Sequence, residues 1–136
     1  MDDSQQRTGP FDPIENSEQA AGPPQVEAAE AIATDLLRIH NESYGGSATK
    51  VMSHIVGDTL IVLMDDLELL PNEEFLVEAG KQDAVVRLRT EYQKAIEPTF
   101  RAAVERAMGR RVIAFTSHVH LWPPRFGVEI FRLEPR

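Results

Sequence analysis

Three histidines, His54, His118 and His120, are the side chains here whose type and spacing could do chemistry. His118 and His120 stand two apart in a stretch that alternates like a strand, so both rings project from one face. If the strand carrying His54 lay beside them, three imidazoles would meet as a His₃ metal site. No sequence feature makes those strands neighbours, and nothing supplies a carboxylate to orient the rings. The plainer reading is histidines at the end of a strand beside a loop. The chain is therefore expected to hold no metal and no cofactor, with His54, His118 and His120 as the residues that would ligate one.

The other chemical candidates reduce in the same way. Asp65, Asp66 and Glu68 offer paired carboxylates, yet acids following a strand are usually a solvated turn, and no phosphate-gripping motif accompanies them. Ser117 lacks the strand–turn–helix glycine setting that exposes a nucleophile. Gly45-Gly46-Ser47 follows a helix and precedes a strand, the reverse of a phosphate-cradling order, and reads as a helix C-cap. Arg101, Arg106, Arg110 and Arg111 gather near a helix C-terminus, where cations complement the dipole. Trp122, beside Pro123-Pro124, sits in a loop and off any periodic face. With Arg125, it is the candidate for partner contact. No catalytic constellation remains, and a non-enzymatic chain is expected.

Stepping outward, apolar residues at Val26, Ala29, Ile32 or Ala33, Leu36 and Ile39 recur three and four apart, predicting a helix over Gln25 to Ser43. Thr49–Val56 and Thr59–Met64, split by Gly57-Asp58, predict a tight hairpin. The second run is apolar on both faces and belongs inside a sheet. Pro71 with Glu73 and Glu74 opens a short helix that ends at Gly80. A long helix follows from Lys81 to Met108, with Val85, Leu88, Tyr92, Ile96, Thr99 and Ala103 on its stripe. Pro98 predicts a kink or break near Glu97. Arg111–His120 and Gly127–Glu134 read as strands joined by the Leu121–Arg125 connection. The order α-β-β-α-α-β-β predicts an α+β two-layer sandwich, with a four-stranded antiparallel sheet and helices on one face.

The 136 residues suit one domain, and the 42% apolar content suits a real core. The absence of cysteine excludes disulfides, thiolate metal sites and cysteine nucleophiles. The net charge of −8 is unevenly spread: seven of the 22 acids but only one of the 14 bases, Arg7, fall within residues 1–30. Residues 1–24, rich in proline and acids, are expected to be a disordered acidic tail, with residues 25–136 forming the single domain. The remainder is near neutral, which argues against nucleic acid. No apolar run approaches the ~20 residues that span a bilayer. A cytoplasmic protein with no direct membrane insertion is expected.

Several segments together resemble a known family. They are Leu70-Pro71-Asn72-Glu73-Glu74-Phe75-Leu76-Val77-Glu78-Ala79-Gly80, the run Tyr92 to Glu105, Gly109-Arg110-Arg111-Val112 followed by Phe115 to His120, and Val128-Glu129-Ile130-Phe131. Their order and spacing resemble the small bacterial MpsC domain, named for a sodium-translocating, membrane-potential-generating system. The resemblance covers roughly Val26 to Glu134. It departs from the family pattern at His118, often acidic there, and at the double proline before the last strand. The resemblance brings no catalytic residues. It implies an accessory role beside a membrane cation or inorganic-carbon transport system, through a protein partner such as a membrane transporter. A homodimer is also expected, from sheet edges and the long amphipathic helix. The alternative is a small-ligand or metal-sensing domain around His118 and His120.

Overall fold

The computed structural model describes residues 22–45 and 48–136. Helix α1 spans Pro23–Tyr44, strands β1 and β2 span Lys50–Val56 and Thr59–Asp65, and helices α2 and α3 span Pro71–Glu78 and Gln82–Met108. Strands β3, Val112–His120, and β4, Phe126–Leu133, complete the chain. The order is the expected α-β-β-α-α-β-β, and the fold is α+β. Most of the proline-rich leader lies outside the described residues, although Pro23 and Pro24 form the first turn of α1.

Local chemistry accounts for each boundary. Proline occupies the first turns of α1 and α2, where its missing N–H costs no intrahelical bond. Gly45 stops α1 in the left-handed region at φ 94°, and its N–H donates to the Asn41 carbonyl. The β1–β2 turn is two residues long with Gly57 at φ 59°, the positive φ that a tight hairpin requires at its first central position.

All strand pairs are antiparallel and the sheet order is β1-β2-β4-β3. The two hairpins therefore meet along β2 and β4, with Leu60 opposite Phe131, Val62 opposite Glu129 and Met64 opposite Gly127. These side chains face the helices. They form the core with Ile32, Leu36, Phe100 and Val104 from α1 and α3. The other sheet face has no helix over it among the described residues.

Two expectations for α3 are corrected. Of the kink or break expected at Pro98, the break does not occur; the helix is continuous from Gln82 to Met108. Pro98 and Lys94, whose carbonyl loses its helical donor, are both exposed, which puts the interruption on the solvent side of the helix. The buried stripe is also rotated: Leu88 and Thr99 face solvent, while Val85, Arg89, Phe100, Ala103 and Val104 are buried. Arg89 takes a core position because a buried carboxylate neutralises it there.

Candidate functional site

The polar chemistry of the molecule lies under the helices. Glu73, the third residue of α2, is 0% exposed, and Arg89 of α3 is 3% exposed. The guanidinium grips the carboxylate with two bonds, Nη2 to Oε1 at 2.7 Å and Nε to Oε2 at 2.9 Å. Such a planar two-bond pairing is the strong form of an ion pair. Glu73 Oε2 also accepts from the Tyr44 hydroxyl at 2.5 Å, and Oε1 from the Leu70 N–H at 2.9 Å. Arg89 reaches the Glu68 carbonyl and stacks its guanidinium 4.6 Å from the centre of the Tyr44 ring. One carboxylate thus ties together the end of α1, the start of α2 and the middle of α3. Burial acts to raise the Glu73 carboxyl, but the bonds from Arg89, Tyr44 and Leu70 outweigh it and hold the group below the ordinary carboxylate value.

An aromatic group continues this cluster. His40 lies against Tyr44 and Tyr92, with ring centres 5.8 and 5.6 Å away, and Tyr44 meets Tyr92 edge-on at 4.7 Å. Burial, with Arg89 nearby, lowers His40 to about 4, so the imidazole is neutral at physiological pH. Burial and the bond to Glu73 push the Tyr44 hydroxyl up, so it remains a donor.

Beyond Tyr92 the arrangement changes. Glu129, on the helix-facing side of β4, is 3% exposed, and no cation among the described residues pairs with it. Its Oε2 accepts from the Ser117 hydroxyl of neighbouring β3 at 2.9 Å. Among the described residues its Oε1 has no hydrogen-bond partner; the Tyr92 hydroxyl meets no well-formed hydrogen bond there either, although the Ser43 side chain lies near enough to act on it. Glu129 and Tyr92 line one cavity, together with His40, Arg89, Gln93 and Gly127. The space inside takes about one water molecule. Burial pushes the Glu129 carboxyl up to about 8, so it is mostly protonated near neutral pH and becomes anionic only in mild base. The cavity therefore offers a titratable carboxyl, with Tyr44 and Tyr92 in its lining. It can hold a proton, a water or a similarly small polar guest, but it presents no activated nucleophile.

The sequence-derived candidates fall elsewhere. His54 lies on β1, while His118 and His120 lie on β3, and β2 and β4 stand between these edge strands. Three strand spacings separate them by about 14 Å, so they share the open face without meeting within one chain. The His120 ring nitrogen lies 2.9 Å from the Pro124 carbonyl, and its ring stacks on Phe126. Asp66 pairs with Lys50 at 3.2 Å in the turn after β2. Of the clustered arginines, Arg101 is taken up by Glu97 and the Val112 carbonyl, Arg110 by Asp58 and the Glu134 carbonyl, and Arg111 lies 3.8 Å from Glu134. Trp122 is 55% exposed in the β3–β4 connection, and Arg125 braces that connection by donating to the Leu121 carbonyl.

Sequence reasoning missed Glu73, Arg89 and Glu129 as a set. The available clue was phase. Arg89 falls in step with Val85 and Tyr92, and Glu129 falls in step with Gly127, Phe131 and Leu133. Each is a charged residue type at a position whose periodic neighbours face inward.

Residues 25–134 match a family model described as MpsC, Na⁺-translocating membrane potential-generating system. No curated protein and no solved structure matches the chain significantly.

Proposed function

The chain belongs to the MpsC family, and from that premise we propose that it is a non-enzymatic accessory or regulatory domain of a membrane cation or inorganic-carbon transport system. The family match over residues 25–134 carries this reading. No helix among the described residues is long and apolar enough to cross a membrane, which supports attachment through a partner. The domain works from the cytoplasm by contact with a membrane transporter, and the exposed Trp122 loop with Arg125 is the first surface to test. Affinity capture of the tagged chain from detergent-solubilised membranes should recover an integral transporter in near-equal amount. Recovery of the chain alone, with membrane proteins well represented in the input, would defeat the reading.

A second reading, small-ligand sensing, moves from the histidines to the Glu129 cavity. The buried Glu129 Oε1, which has no hydrogen-bond partner among the described residues, favours it. Melting temperature measured in sodium and in choline chloride at equal ionic strength tests a small-cation guest. A sodium-specific rise that disappears in Glu129→Gln supports sensing; equal melting in the two salts counts against it.

A further inference from the structure

The uncovered face of the sheet is apolar at its centre. Ile61 and Leu63 of β2 and Val128 and Ile130 of β4 occupy it, only half-buried, and they lie opposite one another across the central strand pair. On β1 they are flanked by Met52 and Val56, which are 44% and 61% exposed. Four strands about 4.8 Å apart, each presenting four side chains on this face, give roughly 500 Å² of flat area per copy. Doubled and increased by side-chain relief, this enters the range of about 1,200–2,000 Å² buried in specific complexes.

We propose that this face is the interface of a homodimer in which two sheets pack face to face about a twofold axis running across the strands. The charges select that axis. The face carries only Lys50, Asp65 and Arg132, near its two ends, and Lys50 is already paired with Asp66. Arg132 leans from β4 across β2, with Nη1 donating to Thr59 Oγ1 at 3.0 Å. A twofold axis across the strands reverses strand direction and lays β2 on the second copy's β2. Asp65 then stands over Thr59 of the second copy, where that copy's Arg132 guanidinium rests. The twofold repeats this pair at the other end. Between the pairs, Leu63 meets Ile61 and Val128 meets Ile130, apolar on apolar. Phe126 falls beneath the facing Arg132, a cation over a ring. An axis along the strands would instead set Asp65 on Phe126 and form neither ion pair. The result is an eight-stranded sandwich with the sheet separation of about 10 Å usual for such packing.

The inference rests on the sheet face and does not depend on the transport reading. Sedimentation of the full chain at tens of micromolar should give about 30 kDa, twice the chain mass of 15.2 kDa. Asp65→Arg and Arg132→Asp should each raise the dimer dissociation constant about tenfold, since the twofold places two like-charge contacts in every dimer. The double variant should restore association. Leu63→Arg with Val128→Arg should give a monomer, with circular dichroism showing that the fold is kept. Because the charge reversals lie at the ends of the face, they remain informative if that core-face variant fails to fold. A wild-type mass of 15.2 kDa would overturn the proposal. So would a dimer indifferent to both charge reversals. A monomer that dimerises only after removal of residues 1–21 would also overturn it, assigning the face to that segment.

Discussion

Glu73 and Glu129 are both buried carboxyls beneath the same helices, yet their surroundings give them opposite character. Glu73 receives two bonds from Arg89, one from Tyr44 and one from a backbone N–H, and remains an anion. Glu129 receives one bond from a serine hydroxyl, pairs with no cation among the described residues and holds its proton up to about pH 8. Burial is common to both; the donors differ. The comparison separates a carboxyl that serves assembly, all of its capacity spent on joining three helices, from one that keeps an unused oxygen facing a cavity.

The largest effect should come from breaking the first of the pair. Arg89→Met leaves Glu73 charged and unpaired in the interior, costing about 3–5 kcal/mol, which chemical denaturation would measure. Adding Glu73→Leu should recover most of that loss, because the damage lies in the stranded charge. If the double variant is as unstable as the single, the clamp contributes by shape and Glu73 is not the charge partner that matters.

A smaller and pH-dependent effect belongs to Glu129. Its folded value of about 8 exceeds the ordinary 4.5, so the folded chain keeps a proton that the unfolded chain has released. That contribution is complete below about pH 4.5 and is lost as pH rises through about 8. His40 acts with the opposite sign: lowered from 6.5 to about 4, it costs stability as pH falls between those values. Glu73, held below its ordinary value, likewise loses its contribution in acid. Glu129 is therefore isolated between about pH 6.5 and 8, where stability should fall by up to about 1.4 kcal/mol per pH unit. Glu129→Gln should flatten that limb, steepen the rise between about pH 4.5 and 6.5 that His40 then sets unopposed, and leave the slope below pH 4.5 unchanged. An unaltered alkaline slope would remove Glu129 as its source.

Tyr92→Phe should change stability by less than about 1 kcal/mol, because no well-formed hydrogen bond holds its hydroxyl among the described residues. A larger loss that Ser43→Ala reproduces would assign it to the neighbouring Ser43 side chain; one that Ser43→Ala leaves alone would point to a guest bridging Tyr92 to Glu129. The smallest effect is expected from Lys94→Ala, since that side chain lies off the sheet and makes only an exposed ion pair with Glu91 at 3.3 Å; chemical denaturation should show a change within about 0.5 kcal/mol.

Much of the scaffold was legible because it is written locally. Gly57-Asp58 sets the hairpin turn, Gly45 and Gly80 take the positive φ that ends their helices, and the two-sided apolar run at Thr59–Met64 does lie inside the sheet. The site was not legible, because its contacts join residues from different elements. Glu73 in the first turn of a helix looks like an acid placed for the dipole, and only the packing of α2 on α3 reveals Arg89 sixteen residues on. Pro98 misled for a related reason. Its cost depends on whether the freed carbonyl meets water, which is a property of the packed helix rather than of the proline.

The seam between β2 and β4 implies a way of dividing the molecule. Everything before Gly80 supplies α1, the first hairpin and α2; everything after it supplies α3 and the second hairpin. Each half alone would bare one strand along its whole length, and one member of the Glu73–Arg89 pair. Cut at Gly80, the chain divides into two pieces with matching strand edges, a pair of fragments to try for complementation, in which recovery of the fold would report that two tethered proteins have met.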